Sequence, residues 1–406
     1  MNITPEIVEA LWREAEALRE PMVDFTRRLV QTPSLPGQEA TVARIVADEM
    51  GQLGYDDVSM DEAGNVVGRL FANSPEAVSG KRIMFNTHMD HVDVGDESKW
   101  PYPPYEAVVR DGEIWGRGTS DLKGSLACHI YMGALLKRLE IPRRNDIYVA
   151  GVVLEELGGL GSMFLSDRLP VDYIIIGEPS ENRLAIGHRG RYEVHVTVTG
   201  KSVHASVPNS GINPLYSMAH FLGEVEQMHF TTDPRYPALG PTSIAPTIFT
   251  TDQSSPNVVP GECHMILDVR NTPADVPNLM LERIEPVLQG SLRGGATGTA
   301  HVPPVTLTSF TGLTRTFSGH GAFALAPDSP LVSQCRALLD AATRQEVPVQ
   351  MWRFATDAGH FIERGMQVIG YGPGYESVIH TIEERISIDM MVEGMVGNAA
   401  LALGLS

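Results

Sequence analysis

The sequence is short of basic residues, of paired cysteines and of long apolar runs, and each shortage closes off a class of function. Thirty-one lysines and arginines face fifty aspartates and glutamates, a formal charge of −19 at pH 7. Such a surface repels a phosphate backbone, so nucleic acid is not an expected partner. The three cysteines, Cys128, Cys263 and Cys335, stand far apart and form no CxxC pair. They offer no disulfide framework and read as buried free thiols. No run of 18 apolar residues occurs, so neither a transmembrane helix nor a membrane partner is expected. The opening MNITPEIVEALWREAEAL is broken early by acids and has no apolar core of a secretory signal. A cytoplasmic protein is the expectation.

What is present is an ordinary globular composition, 43% hydrophobic and 20% charged, over 406 residues. That length exceeds one ordinary core and predicts more than one domain. Apolar periodicity predicts helices over 5–31 and 38–53. Short apolar runs at 82–87, 147–154 and 173–176 read as buried strands, with a helix over 125–139 between them. Strands alternating with helices imply a mostly parallel sheet covered on both faces. Near residue 191 the pattern changes. RYEVHVTVT alternates polar and apolar like a half-exposed strand, followed by a helix at 213–229, strands at 242–251 and 262–271, a helix at 275–288 and a strand at 301–307. That order, β-α-β-β-α-β, is ferredoxin-like. The glycine- and threonine-rich SLRGGATGTA reads as a loop. A helix at 331–344, a strand at 367–370 and a helix at 388–403 then resume the first pattern. The expected division is therefore 1–190 and 309–406 in one catalytic domain, with 191–308 inserted.

Five short motifs carry the chemistry. In FNTHMDH a strand ends at His88 and Asp90, two residues that share a face. A metal-binding histidine commonly has such a carboxylate on its second ring nitrogen. WGRGTSDLKGS places Asp121 between glycines just before a helix. Its spacing is wrong for GxxxxGK[ST], and Asp121 would repel a phosphate, so a nucleotide loop is rejected. In VVLEELGGLGS, Glu155 and Glu156 follow the apolar strand YVAGVVL. Two carboxylates leaving a core strand are costly to bury without a counter-ion. YIIIGEPS ends another apolar run at Glu178, and GYESVIHTIEERI carries His380 ahead of Glu383 and Glu384. Taken singly, each motif also reads as a cap, a solvated acid or a loop histidine. Together they place histidines and acids at carboxyl ends of strands, where open α/β sheets bind ligands. Two histidines and at least three acids exceed the needs of one tetrahedral zinc and suit two ions sharing a bridging acid.

These motifs, in this order and over essentially the whole chain, resemble the family containing acetylornithine deacetylase, succinyl-diaminopimelate desuccinylase and carboxypeptidase G. GHRGRYEVHVTVTG resembles its less-characterised peptidase and deacetylase branch. The resemblance implies a phosphorylase/hydrolase-like α/β catalytic domain, mostly parallel, with the ferredoxin-like insert as lid and dimer interface. It implies a dinuclear metal-dependent amide hydrolase acting on a small N-acyl amino acid of the N-acetylornithine or N-succinyl-diaminopimelate type. Two divalent ions are implied, zinc first, with cobalt or manganese alternatives. His88 and Glu178 would bind one ion, Glu156 and His380 the other, with Asp121 bridging. Asp90 would orient His88, and Glu155 would be general base to a metal-bound water. His204, in GKSVHAS, would reach a partner subunit's site. Asn257, in SSPNVVP, and Arg270, in LDVR, would bind substrate, although a salt bridge inside the lid also explains Arg270. His91, His129, His195, His220, His229 and His360 match no ligand position and read as structural or surface residues. An exopeptidase or dipeptidase of the same fold is the alternative. A non-catalytic binding protein would lack a ligand or the base, whereas all seven expected positions are filled.

Overall fold

The computed structural model describes residues 3–75, 77 and 80–406. Its larger sheet has nine strands. In order they are Asp57–Met60, Val66–Leu70, Asp146–Val152, Arg82–His88, Tyr173–Ile176, Gln367–Gly370, Leu184–His188 and Phe323–Ala324, with Val349–Trp352 also paired to Leu184–His188. The middle of the sheet is parallel: Arg82–His88 runs between Asp146–Val152 and Tyr173–Ile176, and Gln367–Gly370 joins the latter. The outer partners Val66–Leu70 and Phe323–Ala324 are antiparallel. Alternate residues of one strand feed opposite faces. Ile83 and Phe85 enter one core, Met84 the other. This explains the near-continuous apolar runs of the central strands, which are buried on both sides.

The expected helix over 5–31 is two, Pro5–Ala17 and Arg19–Val30, meeting at Leu18. Leu11, Ala15, Leu18, Met22, Phe25 and Leu29 are all fully buried in one core. Their alternating spacing of four and three runs straight through the junction, so periodicity could not reveal the break.

The smaller sheet orders Ser243–Thr251, Glu262–Asn271, Gly190–Thr199 and Thr297–His301, all antiparallel. In chain order this is 2-3-1-4, the ferredoxin-like arrangement, with helices Pro214–Glu226 and Pro277–Ser291 on one face. Its last strand corrects the sequence reading. It lies at Thr297–His301, four of its five residues in the stretch expected to be loop, and meets the expected 301–307 only at His301. Gly298 misled: a Cβ there would meet Leu288 and Leu292 at 3.1–3.2 Å, so the glycine marks close helix packing rather than a turn. Val305–Thr308 instead pairs with Thr314–Phe317, and Leu307, Phe310 and Leu313 pack on the larger core. All three cysteines are buried and free. Among the described residues no helix is long and apolar enough to cross a membrane.

Candidate metal centre

Three parallel strands deliver the site. His88 is the last residue of its strand, the Glu155–Glu156 turn follows the neighbouring strand, and Glu178 follows the next. Asp121 comes from the irregular turn that leads into helix Gly124–Arg138, and the peptide bond after it is cis. His380 arrives from the loop before the short strand Arg385–Ser387.

Asp121 stands between the two imidazoles. Its Oδ1 lies 2.9 Å from His88 Nε2, and its Oδ2 lies 3.1 Å from His380 Nε2. Glu178 is 3.7 Å and Glu155 4.0 Å from the same His88 nitrogen. Glu156 is 3.2 Å from His380 Nε2. Two groups therefore have ligand atoms within 4.8 Å of one another: His88, Glu155 and Glu178, and His88, Asp121 and Glu156.

Asp90 contacts His88 chiefly through its main chain. His88 Nδ1 is 3.0 Å from the Asp90 carbonyl and 3.5 Å from the carboxylate. That carboxylate instead accepts the backbone N–H groups of Glu155 at 3.2 Å and Glu156 at 3.1 Å.

The electrostatics are those of an acid cluster short of positive charge. Burial and the neighbouring Glu178 push the Glu155 carboxyl well above its usual range. Burial and Asp121 do the same to Glu178 and raise Glu156. Asp121 moves the other way: burial opposes ionisation, but hydrogen bonds from His380 and His88 hold its pKa down. The bonds to Asp121 and Glu156 raise His380 to about 10. His88 is also raised, its bonds to Asp121 and Asp90 outweighing burial. Three of the four crowded carboxylates hold protons tightly because burial and neighbouring negative charge disfavour their ionised forms, and a divalent cation would relieve the same repulsion. Oxygen and imidazole donors in this number fit divalent cations such as zinc, cobalt or manganese.

Several supporting residues gave no sequence signal. Glu384 accepts the backbone N–H groups of Ser120 and Asp121, both at 3.1 Å, and its other oxygen pairs with buried Arg117. Ser162 donates to buried Asp357 at 2.6 Å and accepts from Asn86. Gly159 has φ +76, and a Cβ there would sit 2.0 Å from Asp357 Oδ1, so only glycine fits this turn beside the glutamate pair. His360 is buried, with Nε2 2.9 Å from the Gly158 carbonyl. His91 accepts from the Ser34 N–H, and His129 is fully buried. His195 pairs with Glu193 on the smaller sheet, while His220 and His229 lie at its periphery.

A cleft of about 500 Å³ opens over the centre. It is lined by Asp121, Glu155, Glu156, Glu178 and His380 on one side and by Arg191, Arg270 and His320 on the other. Arg270 thus reaches the cleft. His204 and Asn257 do not line it. His204 lies on a two-stranded ladder of the smaller domain, paired with Val258, and Asn257 just precedes that strand, its carbonyl accepting the Ala205 N–H at 2.8 Å; both side chains are exposed.

The sequence pattern of peptidase family M20/M25/M40 matches residues 84–403. The uncharacterized protein YgeY of Escherichia coli K12 is 28% identical over 380 residues, spanning 92% of this chain and 91% of that one. A succinyl-diaminopimelate desuccinylase of Halorhodospira halophila is 27% identical over 383 residues, 90% and 93% of the two chains. The YXEP protein of Bacillus subtilis, a dinuclear metal binding peptidase of the M20 family, superposes with a TM-score of 0.69 at 13% identity, covering 96% of this chain and 98% of its own.

Proposed function

Since the chain belongs to peptidase family M20/M25/M40, a family of metal-dependent hydrolases, we propose that it removes the acyl group from a small N-acyl amino acid by hydrolysing the amide bond. The carrying observation is that Asp121 turns one carboxylate oxygen to each of two imidazoles, 2.9 and 3.1 Å away. Such an acid would serve as a bridging ligand between two ions. In this reading His88 and Glu178 hold one ion, Glu156 and His380 the other. The donor set puts zinc first. When bound, such a pair of cations lowers the pKa of water and polarises the substrate carbonyl.

Glu155 is the general base. It takes the proton of the attacking water and returns it to the leaving amine nitrogen. Asp90 fixes the glutamate turn through two backbone bonds, so the base is aimed from the main chain outward. Arg270 faces the centre across the cleft and binds the substrate's carboxylate.

The smaller domain serves as lid and dimer interface. Ser243–Thr251 is a sheet edge paired on one side only, with Ile248 and Phe249 each about half exposed. An unpaired apolar edge is a template for another strand, here that of a second copy. Exposed His204 and Asn257 then belong to the partner's site, where His204 donates to the carbonyl oxygen as charge develops on it.

The test is elemental analysis paired with a substrate panel of N-acetyl and N-succinyl amino acids and dipeptides. The expected result is two divalent ions per chain and cleavage of the N-acyl amino acids. Preference for dipeptides would move the enzyme to the exopeptidase reading, and absence of any metal-dependent amide cleavage would overturn both.

A further inference from the structure

The wall of the cleft opposite the carboxylates carries a second arginine. Arg191 and Arg270 are direct cross-strand partners in the smaller sheet, so their side chains leave the same face side by side. Strand burial alternates in register: Tyr192, Val194 and Val269 point into the core, while Arg191 and Arg270 lie on the open face. Two guanidiniums so close repel unless an anion lies between them. Asp268 supplies one, accepting Arg270 Nε at 2.7 Å on Oδ1 and Arg191 Nε at 2.9 Å on Oδ2.

This arrangement spends the Nε groups and leaves the forks. Arg191 gives one further N–H to Glu193 at 3.1 Å. Arg191 Nη1 and both Nη atoms of Arg270 have no protein partner among the described residues. Asp268 is shared by both guanidiniums and Glu193 takes one N–H of Arg191, so three of the four Nη atoms stay available on two arginines that line the same cleft as the glutamates and His380. The third member of this wall adds no charge. His320, bridged to Arg191 through both backbone bonds, has a buried Nδ1 without a partner. Burial, then the neighbouring His360 and His188, push its pKa down to about 3, so it stays a neutral imidazole.

We infer that Arg191 is a specificity-determining residue that works with Arg270 as one two-guanidinium receptor, and that the receptor selects amides carrying a single free carboxylate beyond the scissile bond. This rests on the amide-hydrolase reading above, and adds to it the residue that sets the substrate's charge. Each carboxylate oxygen meets one guanidinium fork, the geometry that makes arginine superior to lysine for such anions. Asp268 holds the two forks at fixed spacing before the substrate arrives, which lowers the ordering cost of binding.

The experiment compares the best N-acyl amino acid from the panel with its carboxamide, whose terminal charge is removed. In the wild type kcat/KM for the acid should exceed that for the carboxamide by about 10- to 100-fold, the range for hydrogen bonds to a charged group. R191M should lower kcat/KM for the acid about 10- to 100-fold, chiefly through KM, and leave the carboxamide nearly unchanged. R191K should recover only part, and the R191M/R270M pair should lose less than the product of the single losses, because both side chains hold one group. Equal losses on acid and carboxamide would make Arg191 a structural ion-pair partner and overturn the inference, as would no loss at all. Calorimetric binding of acid and carboxamide to E155Q, with and without R191M, reads the receptor apart from turnover. Discrimination there with no wild-type cleavage would sink the hydrolase reading and keep the receptor, whereas cleavage without discrimination would do the reverse.

Discussion

The backbone N–H of Glu155 donates to the side chain of Asp90 at 3.2 Å. The same carboxylate holds the Glu156 N–H and lies 3.5 Å from the His88 ring. One fully buried acid thereby ties the end of strand Arg82–His88 to the turn after strand Asp146–Val152. Asp90→Ala should lose about 10- to 100-fold in metal affinity, as removal of such supporting partners commonly does. Competition with a chelating dye measures it, and affinity equal to wild type would show that the backbone carbonyl of Asp90 suffices.

Glu155→Gln keeps size and removes the base. The variant should retain two ions per chain by elemental analysis and lose about 100- to 10,000-fold in kcat, the usual range for general acid–base catalysis. If the metal content falls with the rate, Glu155 is a ligand, a role its 4.0 Å approach to His88 also allows.

His204→Ala should lower kcat by about 100- to 1,000-fold with metals intact, as loss of an oxyanion donor does. Mixing it with Glu155→Gln distinguishes the two subunits. Each mixed dimer rebuilds one complete site, so an equimolar exchange should restore about a quarter of wild-type activity if His204 acts across a two-fold interface. No recovery after verified subunit exchange would place His204 outside the partner's site.

Protons and cations compete for the same atoms. Glu155 and Glu178 hold protons well above the ordinary carboxylate range, and His380 holds one up to about 10. Raised pKa values stabilise the metal-free native state at low pH, and that contribution is lost as pH rises through the folded values. Metal binding needs those protons released, so the gain in Tm on adding zinc to chelated protein should grow from about pH 5.5 to about pH 8.5. Measuring the difference at each pH cancels the other titrating histidines. A gain that is flat or shrinks with pH would contradict this electrostatic picture.

The sequence disclosed the centre because strand ends are legible. An apolar run closing on His88, on Glu155 or on Glu178 states both the element and where its last side chain emerges. The ferredoxin-like order was legible for the same reason, through the alternation of RYEVHVTVT. Residues that act through the backbone were not. Glu384 caps two N–H groups near Asp121 from more than 260 positions away, and no periodicity records that. Asp357 and Ser162 form a buried pair whose members look like an ordinary loop acid and a helix serine. Arg191 carries no signal of its own in the sequence, 79 positions before its cross-strand partner Arg270. Their meeting depends on register between strands, which a single sequence leaves open.

The pairing of Glu384 with the Ser120–Asp121 backbone has a consequence for how the centre comes together. The turn that carries Asp121 is anchored from 264 positions along the chain, and His380 comes from the same late segment. A fragment cut after the smaller domain would keep His88, Asp121 and the glutamate pair yet lack both the anchor and the second imidazole. Assembly of the centre is thus a report on long-range closure: its parts meet only when segments far apart in the chain have found each other.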